Sequence, residues 1–387
     1  MHVLATAVFS WSLALLIYHF FVYPLAISLL ASINGRRKPT AIAQSGASIS
    51  VIIAAHNEDL HIRRRIENCL AQSIAPMEII IASDGSTDGT AAVAREFAAP
   101  PVIVIDIQPR GGKAAALNRA AETATGDILL FSDARTFFDT AAAEHLLELL
   151  QDPQVGAVTG QMVSWPTRPA AEVVSRPLGL FATYEQIASL AETRLASCVS
   201  AHGGLLAVRR ALWKPIPAGI INDDAYRVLA TLKQGYRVAF ASNALFFKLS
   251  TSGLKDEAER RTRIAAGRYQ LLFHPGWWPW SQPLSLFFWM SHKALRLLVP
   301  FLLILLFLAN VLLLLWPDDD GNYIVPLLAG QLLFYGLALY GLLRPNETRL
   351  GYAAKICAMF VSVNFGNLAG LWRFLGGRQK VTWRIVK

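Results

Sequence analysis

Five polar stretches interrupt an apolar chain. His56-Asn57-Glu58, Ser83-Asp84-Gly85 and Asp133-Ala134-Arg135 each follow a short apolar run. Gly111-Gly112-Lys113 opens a helical stretch, and Asn222-Asp223-Asp224 precedes another. Carboxylates and amides placed this way are fixed acceptors for the N–H and O–H groups of a ligand. A glycine pair with a lysine at a helix start offers backbone N–H groups and an ammonium, which suits phosphate oxygens. The dinucleotide fingerprint GxGxxG and the P-loop GxxxxGK[ST] are both absent, which disfavours a dehydrogenase and an ordinary ATPase.

The elements that must carry these groups alternate. SISVIIAA, MEIIIAS, PVIVID and DILLFSD read as strands, each followed by a helical stretch: 59–72, 87–97, 113–123 and AAAEHLLELL. Short β-branched runs separated by helices predict an α/β fold with a mostly parallel sheet and helices on both faces. In such sheets ligands bind beyond the carboxyl ends of the strands. His56 to Glu58, Asp84 and Asp133 all fall at those ends and converge on one edge. No internal repeat and no low-complexity segment occurs.

The chain has 387 residues, 54% hydrophobic and 16% charged, too apolar for an ordinary soluble enzyme. That length permits one catalytic domain plus membrane segments. The formal net charge is +9, and the spread of the bases reads as facing a membrane surface and phosphate, not nucleic acid. Cys69, Cys198 and Cys357 form no metal or disulfide spacing, which fits a reducing compartment. Val3 to Ser32 is long enough to span a bilayer core, and Arg36-Arg37-Lys38 after it puts the following domain on the cytoplasmic side of the inner membrane. Leu297 to Trp316 and Ile324 to Leu343 are further spans, joined by an acidic link with Asp318, Asp319 and Asp320. Gly351 to Trp372 carries Lys355, Asn364 and Asn367. Either it is re-entrant or interfacial, or the basic tail after it breaks the positive-inside rule. Trp277, Trp278, Trp280 and Trp289 suit a headgroup anchor. The expected division is a membrane helix to 34, a catalytic domain over 45–275, an interfacial helix over 276–296, membrane helices over 297–374 and a basic tail over 375–387.

The strings AAHNED, SDGSTDGT, GGKAAALNRA, LLFSDA and NDDAYRVLATLKQGYRV occur in that order. Together they resemble a membrane-bound family 2 glycosyltransferase of the cellulose, chitin and hyaluronan synthase-like superfamily, over about Ser48 to Gln270. The resemblance implies a GT-A nucleotide-sugar-binding domain and inverting transfer from a nucleotide sugar, UDP-linked, to a membrane-associated lipid or glycan. By it, Asp84 accepts a uracil N–H, with Asn57 and Glu58 beside the base and ribose. Lys113 and Asn118 face the diphosphate or base, while Asp88 stays a helix cap. Asp133 stands where the family's metal motif begins and would hold Mg²⁺ or Mn²⁺. Asp224 is the general base, since an acceptor hydroxyl is a poor nucleophile until its proton leaves, and Asp223 is its neighbour. The bland alternative for Asn222-Asp223-Asp224 is a helix cap with acids suited to the dipole. SAHGGLLAVRR resembles the acceptor loop, with Gly203 allowing close approach and His202 either packing or touching ligand.

Two positions depart from the family. The second carboxylate of the metal motif is Arg135, and ERRTRIAAG has Arg260 and Ile264 where the family's QxxRW has Gln and Trp. Arg261 and Arg263 can still serve phosphates. The loss of the Trp weakens the case for a processive synthase extruding its polymer. Arg135 motivates a further rival, an inactive nucleotide-sugar-binding membrane scaffold. Polysaccharide-export partners or a homo-oligomer would complete either.

Overall fold

The structure, a computed structural model, describes residues 1–34, 46–165, 169–249, 254–316, 324–344 and 351–377. Arg36-Arg37-Lys38, the acidic link 317–323 and the tail beyond 377 lie outside the described residues.

An apolar helix, α1 (His2–Ile17), continues through a π-helical turn (Tyr18–Val22) into α2 (Tyr23–Asn34). The sheet follows: β1 (Ile49–Ala55), α3 (Asp59–Leu70), β2 (Glu78–Asp84), α4 (Thr90–Arg95), β3 (Val102–Ile107), α5 (Lys113–Thr123) and β4 (Ile128–Asp133). All seven residues of β1 and of β2 are buried, as expected for strands covered on both faces. These four strands pair in parallel, β2 with β1 and β3, β1 with β4. Their carboxyl ends therefore share one edge.

The remaining half is mixed. β5 (Thr136–Phe138), α6 (Ala142–Leu150), β6 (Val155–Trp165), α7 (Pro169–Leu195) and β7 (Leu206–Arg209) precede α8 (Asp223–Lys233) and β8 (Arg237–Leu249). The eight strands run in the order β3-β2-β1-β4-β7-β6-β8-β5. β7 is antiparallel to β4 and β6, and β5 is antiparallel to β8. One face of the sheet packs on α3 and α6 through Ile62, Ile66 and Leu146. The other takes Leu117 of α5 and Leu229 of α8, together with Tyr23, Ile27, Phe288 and Trp289 from the apolar helices.

Helix α4 is shorter than the sequence pattern suggests. Asp88 accepts the N–H of Thr90 at 2.9 Å and that of Asp59 at 3.3 Å, so residues before Thr90 serve as a cap and as a tie to α3.

After β8 come α9 (Leu254–Leu272), α10 (Pro283–Phe288), a π-helical turn (Trp289–Ala294), α11 (Leu295–Leu315), α12 (Ile324–Leu343) and α13 (Gly351–Leu375). Four helical segments are long and apolar enough to cross a membrane: His2–Ile33, Pro283–Leu315, Ile324–Leu343 and Gly351–Leu375. The segment with the Trp cluster is thus continuous with the second span. Trp289 is buried, 5.2 Å from the Trp278 ring, while Trp280 is exposed.

α13 packs along α12 and against α9. Gly341, near the end of α12, is so close to Ala354 that a Cβ there would lie 2.4 Å from its carbonyl oxygen. Further along, Asn367 donates to the Arg296 carbonyl, Gly370 abuts Ala265 and Ala266 of α9, and Arg373 pairs with Glu259 at 2.6 Å.

Candidate active site

The loop after β1 and the loop after β2 are tied together. Asn57, at φ 53°, accepts the Thr87 N–H on its Oδ1 at 2.8 Å and donates from Nδ2 to Thr87 Oγ1 at 3.2 Å. Glu58 is buried, and both its oxygens accept from Arg135 Nε, at 2.9 and 2.8 Å. Arg135 thus turns back to Glu58 instead of to solvent.

Asp84 is fully buried. Its two oxygens accept the N–H groups of Gly111 and Gly112 at 2.7 and 2.9 Å, with Arg110 Nε 3.7 Å away. In this arrangement Asp84 fixes the glycine loop that leads into Lys113. Gly85 allows that contact. At φ +58° it sits where a Cβ would come within 2.6 Å of Arg110 Cβ and 2.9 Å of Arg110 Cα. Gly85→Ala is therefore expected to cost about 2–4 kcal/mol, from left-handed backbone strain and overpacking. Chemical denaturation checks this, and loss of nucleotide affinity in the folded fraction should accompany it.

Asn118 of α5 ties that helix to a later segment. Its Nδ2 donates to the Ile216 carbonyl at 2.9 Å and its Oδ1 accepts the Ile216 N–H at 2.8 Å. Both ends of the amide hold the chain before α8.

Lys113 organises the rest. From the first turn of α5 its Nζ reaches Asp133 Oδ1 at 3.0 Å and Asp223 Oδ1 at 3.1 Å. Asp133 ends β4, and its other oxygen meets Lys248 Nζ of β8 at 3.0 Å. Asp223 also pairs with Arg227 one turn on. Burial alone would raise the Asp133 and Asp223 carboxyls, but Lys113 with Lys248, and Lys113 with Arg227, outweigh it and hold both below the usual range. Burial likewise opposes charge on Lys113, yet Asp133 and Asp223 raise its ammonium above the ordinary lysine value.

Asp224 adjoins this lattice. Its Oδ2 accepts the Gly203 N–H at 3.0 Å and its Oδ1 the Ala225 N–H at 2.8 Å, leaving lone pairs on both oxygens for a substrate. A Cβ on Gly203 would lie 3.5 Å from Lys113 Nζ and 3.6 Å from Asp224 Oδ2, so one glycine backbone separates the ammonium from the carboxylate. His202 stands 5.9 Å from the Phe246 ring, and burial lowers its imidazole. Asn222 is no side-chain cap. Its Nδ2 donates to the Ile264 carbonyl at 2.8 Å, which ties the basic motif of α9 to the acidic start of α8. Arg261 and Arg263 flank that junction on α9.

Three groups lie beyond what the motifs point to. Lys248 is one. Glu185 of α7 is another: Lys293 (2.7 Å) and Arg296 grip it, and Ser200 Oγ donates to it at 3.2 Å. Arg268 of α9 is the third. Burial and the neighbouring Arg296 push it down to about 10, against the pull of Glu185 and Asp224. Lysines and arginines inside helical or apolar stretches look like solvated faces, and only the packing of α7, α9 and α11 brings them inward.

The metal motif offers a divalent cation one carboxylate, Asp133, because its second position is Arg135. Among the described residues no three His, Cys, Asp or Glu side chains group to hold a metal. Magnesium-like ions bind through one or two carboxylates plus substrate phosphates. The donor set therefore fits a cation completed by substrate oxygens and not an all-protein cage.

A parallel sheet whose strand ends carry a lysine-bridged acid lattice beside a glycine loop, with an antiparallel half adding a second acidic site, defines a GT-A-type glycosyltransferase. The sequence matches the pattern of Glycosyl transferase family 2 over residues 50–201 and that of Glycosyl transferase family group 2 over 128–342, more than half of the chain. The chain belongs to glycosyl transferase family 2. It is similar to the poly-beta-1,6-N-acetyl-D-glucosamine synthases of Staphylococcus aureus (strain COL), 27% identical over 269 residues, and Staphylococcus epidermidis, 24% over 271. The matches cover 66% and 67% of this chain, and 61% and 63% of those proteins. The chain thus spans about three fifths of the length of these relatives. A mannosyltransferase from Pyrobaculum calidifontis, in complex with GDP-Man and Mn²⁺, has a similar fold: TM-score 0.73, 21% identity, 96% of this chain and 99% of that one. With four apolar helices, the chain is a membrane protein.

Proposed function

We propose that the chain moves a sugar from a nucleotide diphosphate donor, UDP-linked, to a hydroxyl of a membrane-associated glycan or lipid, with inversion. One observation carries this reading. Lys113 bridges Asp133 and Asp223 while Gly203 sets the Asp224 carboxylate alongside, so a phosphate-facing cation and a candidate base share one cleft. The relatives named above are poly-N-acetylglucosamine synthases, which supports N-acetylglucosamine as the first donor to try.

Each residue has a part in this reading. The Gly111-Gly112 loop, held by Asp84, and Lys113 receive the diphosphate, with Arg261 and Arg263 approaching from α9. Asn57 and Glu58 shape the wall beside the nucleoside. Asp224 takes the acceptor proton as that oxygen attacks the anomeric carbon from the side opposite the diphosphate. Lys113 offsets the charge that builds on the leaving group. Asp223, fixed by Lys113 and Arg227, holds the start of α8 in place, and His202 borders the acceptor. Asp133 would hold Mg²⁺ or Mn²⁺ together with donor phosphate oxygens, and a bound cation supplies further charge neutralisation of the diphosphate.

The test gives purified protein in membranes a panel of radiolabelled UDP- and GDP-sugars with Mg²⁺ or Mn²⁺, and sizes the labelled lipid or polymer. Transfer of one or a few residues is expected. No transfer from any donor would favour the scaffold instead. The relatives are polymer synthases, so a processive second reading stands beside the first. Long product would establish it, against the loss of Gln and Trp at Arg260 and Ile264.

The same proposal places the sheet on the cytoplasmic side of the inner membrane, with α13 lying along that interface instead of crossing. A Lys387→Cys variant, with Cys357 replaced by Ser, is expected to react with an impermeant maleimide in inside-out vesicles and not in intact cells. Labelling of intact cells would put the tail outside.

A further inference from the structure

We infer that Lys248 is the internal cation that keeps a divalent metal off Asp133 until the donor arrives, so that metal and nucleotide sugar bind as one unit. The inference rests on the donor-site reading above and adds a residue to it.

Lys248 lies near the end of β8, paired with Thr136 across the antiparallel β5–β8 ladder. Phe246, two residues earlier on the same strand face, packs against the glycines of the acceptor loop; a Cβ on Gly204 would lie 2.6 Å from its ring. Strand periodicity thus delivers the Lys248 ammonium to the cleft. Its Nζ is 3.0 Å from Asp133 Oδ2, and Lys113 Nζ is 3.0 Å from Oδ1. Each oxygen of Asp133 therefore carries an ammonium. A magnesium-like ion must come within about 2.0–2.1 Å of one of them, where the ammonium already on that oxygen repels it.

The nearest other acid, Asp223, is itself taken by Lys113 and Arg227. Arg135 holds both oxygens of Glu58, so that carboxylate is engaged away from Asp133.

The two lysines are not equivalent. Lys113 keeps Asp223 at 3.1 Å if it loses Asp133. Lys248 has no other carboxylate within ion-pair distance among the described residues, and its side chain is 36% exposed, so it can swing. A diphosphate entering the cleft supplies a new anionic partner for Lys248 and new oxygens for the metal in one event. Donor and metal then raise each other's affinity, as linkage requires, and the exchange of Lys248 from carboxylate to phosphate is the device that couples them.

The experiment measures Mn²⁺ binding by the electron paramagnetic resonance signal of the free ion, on full-length protein in nanodiscs, with and without UDP. Wild type is expected to bind Mn²⁺ weakly alone and about tenfold or more tightly with UDP. Lys248→Gln is expected to bind Mn²⁺ about tenfold more tightly without UDP, with a correspondingly smaller gain on adding it. Lys248→Arg, which keeps the charge, should behave as wild type. Asp133→Asn in the Lys248→Gln background should abolish the gain. Unchanged donor-free Mn²⁺ binding in Lys248→Gln overturns the inference, as does a gain that survives Asp133→Asn. The donor-free arm uses no nucleotide. UDP that binds neither with nor without Mn²⁺ would instead overturn the donor reading, so the two failures are distinguishable.

Discussion

Asp224→Asn is expected to lower the rate of sugar transfer by about 10²–10⁴-fold, the usual contribution of a general base, while nucleotide affinity and melting temperature stay near wild type. The substitution is chosen for what it preserves. An asparagine oxygen can still accept the Gly203 N–H that Asp224 Oδ2 accepts at 3.0 Å, so the 202–204 loop keeps its place. What disappears is the proton acceptor. The acceptor hydroxyl must then attack with its proton on, which penalises turnover and not donor binding. A merely structural Asp224 predicts the reverse pattern: a lower melting temperature with turnover per folded molecule unchanged. Asp223→Asn is the useful comparison. Asp223 is locked between Lys113 and Arg227, so its loss should disturb donor binding and stability together. If Asp224→Asn transfers sugar at the wild-type rate, the base lies elsewhere.

The division between what the sequence reveals and what only the fold reveals follows from range. β1 to β4 and their helices are legible because each strand is a short apolar run that pairs in parallel with near neighbours, and each polar loop falls at a strand end by construction. That rule alone suffices to bring Asp133 to the edge where Lys113 starts its helix. The antiparallel half is harder. β6 and β8 pair in parallel, yet β7 and α8 come between them in the chain, and no local period announces that partnership. Asp84 illustrates the same limit at a single residue. Its type and place at a strand end fit a ligand contact, but the two N–H groups it serves belong to Gly111 and Gly112, in the loop before Lys113. That duty to a loop so far along the chain cannot be read from the residues around Asp84. Lys248 is hidden for a related reason. It stands in the apolar run ALFFKL, where a lone lysine reads as an edge-strand gatekeeper, and only the β5–β8 register turns it toward Asp133. Arg135 points to a departure from the family at first sight, and its bond to Glu58 explains how the loop tolerates it.

Lys113→Met should have the second large effect, about 10²–10³-fold on kcat/KM, most of it through weaker donor binding and poorer support of the leaving diphosphate. The fold should survive, because each carboxylate it leaves has another cation: Lys248 for Asp133 and Arg227 for Asp223. Lys113→Arg tests whether charge alone suffices. A guanidinium is larger and planar and cannot reproduce the point contact that one ammonium makes with both Asp133 and Asp223, so partial rescue is the expected result. The acid limb of stability supplies a readout independent of catalysis. Asp133 and Asp223 are held below their unfolded values by these lysines and Arg227, so the stabilisation is complete above about pH 4 and is lost as pH falls toward the folded values. Lys113 itself, raised above the ordinary lysine value, stays charged through that window and contributes no slope there. Removing it brings the carboxyl values back toward those of the unfolded chain. Lys113→Met should therefore show a shallower loss of stability between about pH 4 and pH 2 than wild type, measured by urea unfolding at a series of pH values. An equal slope in the two proteins would mean that Lys248 and Arg227 already hold the carboxylates without it, and that the bridge between Asp133 and Asp223 adds nothing to the cleft's electrostatics.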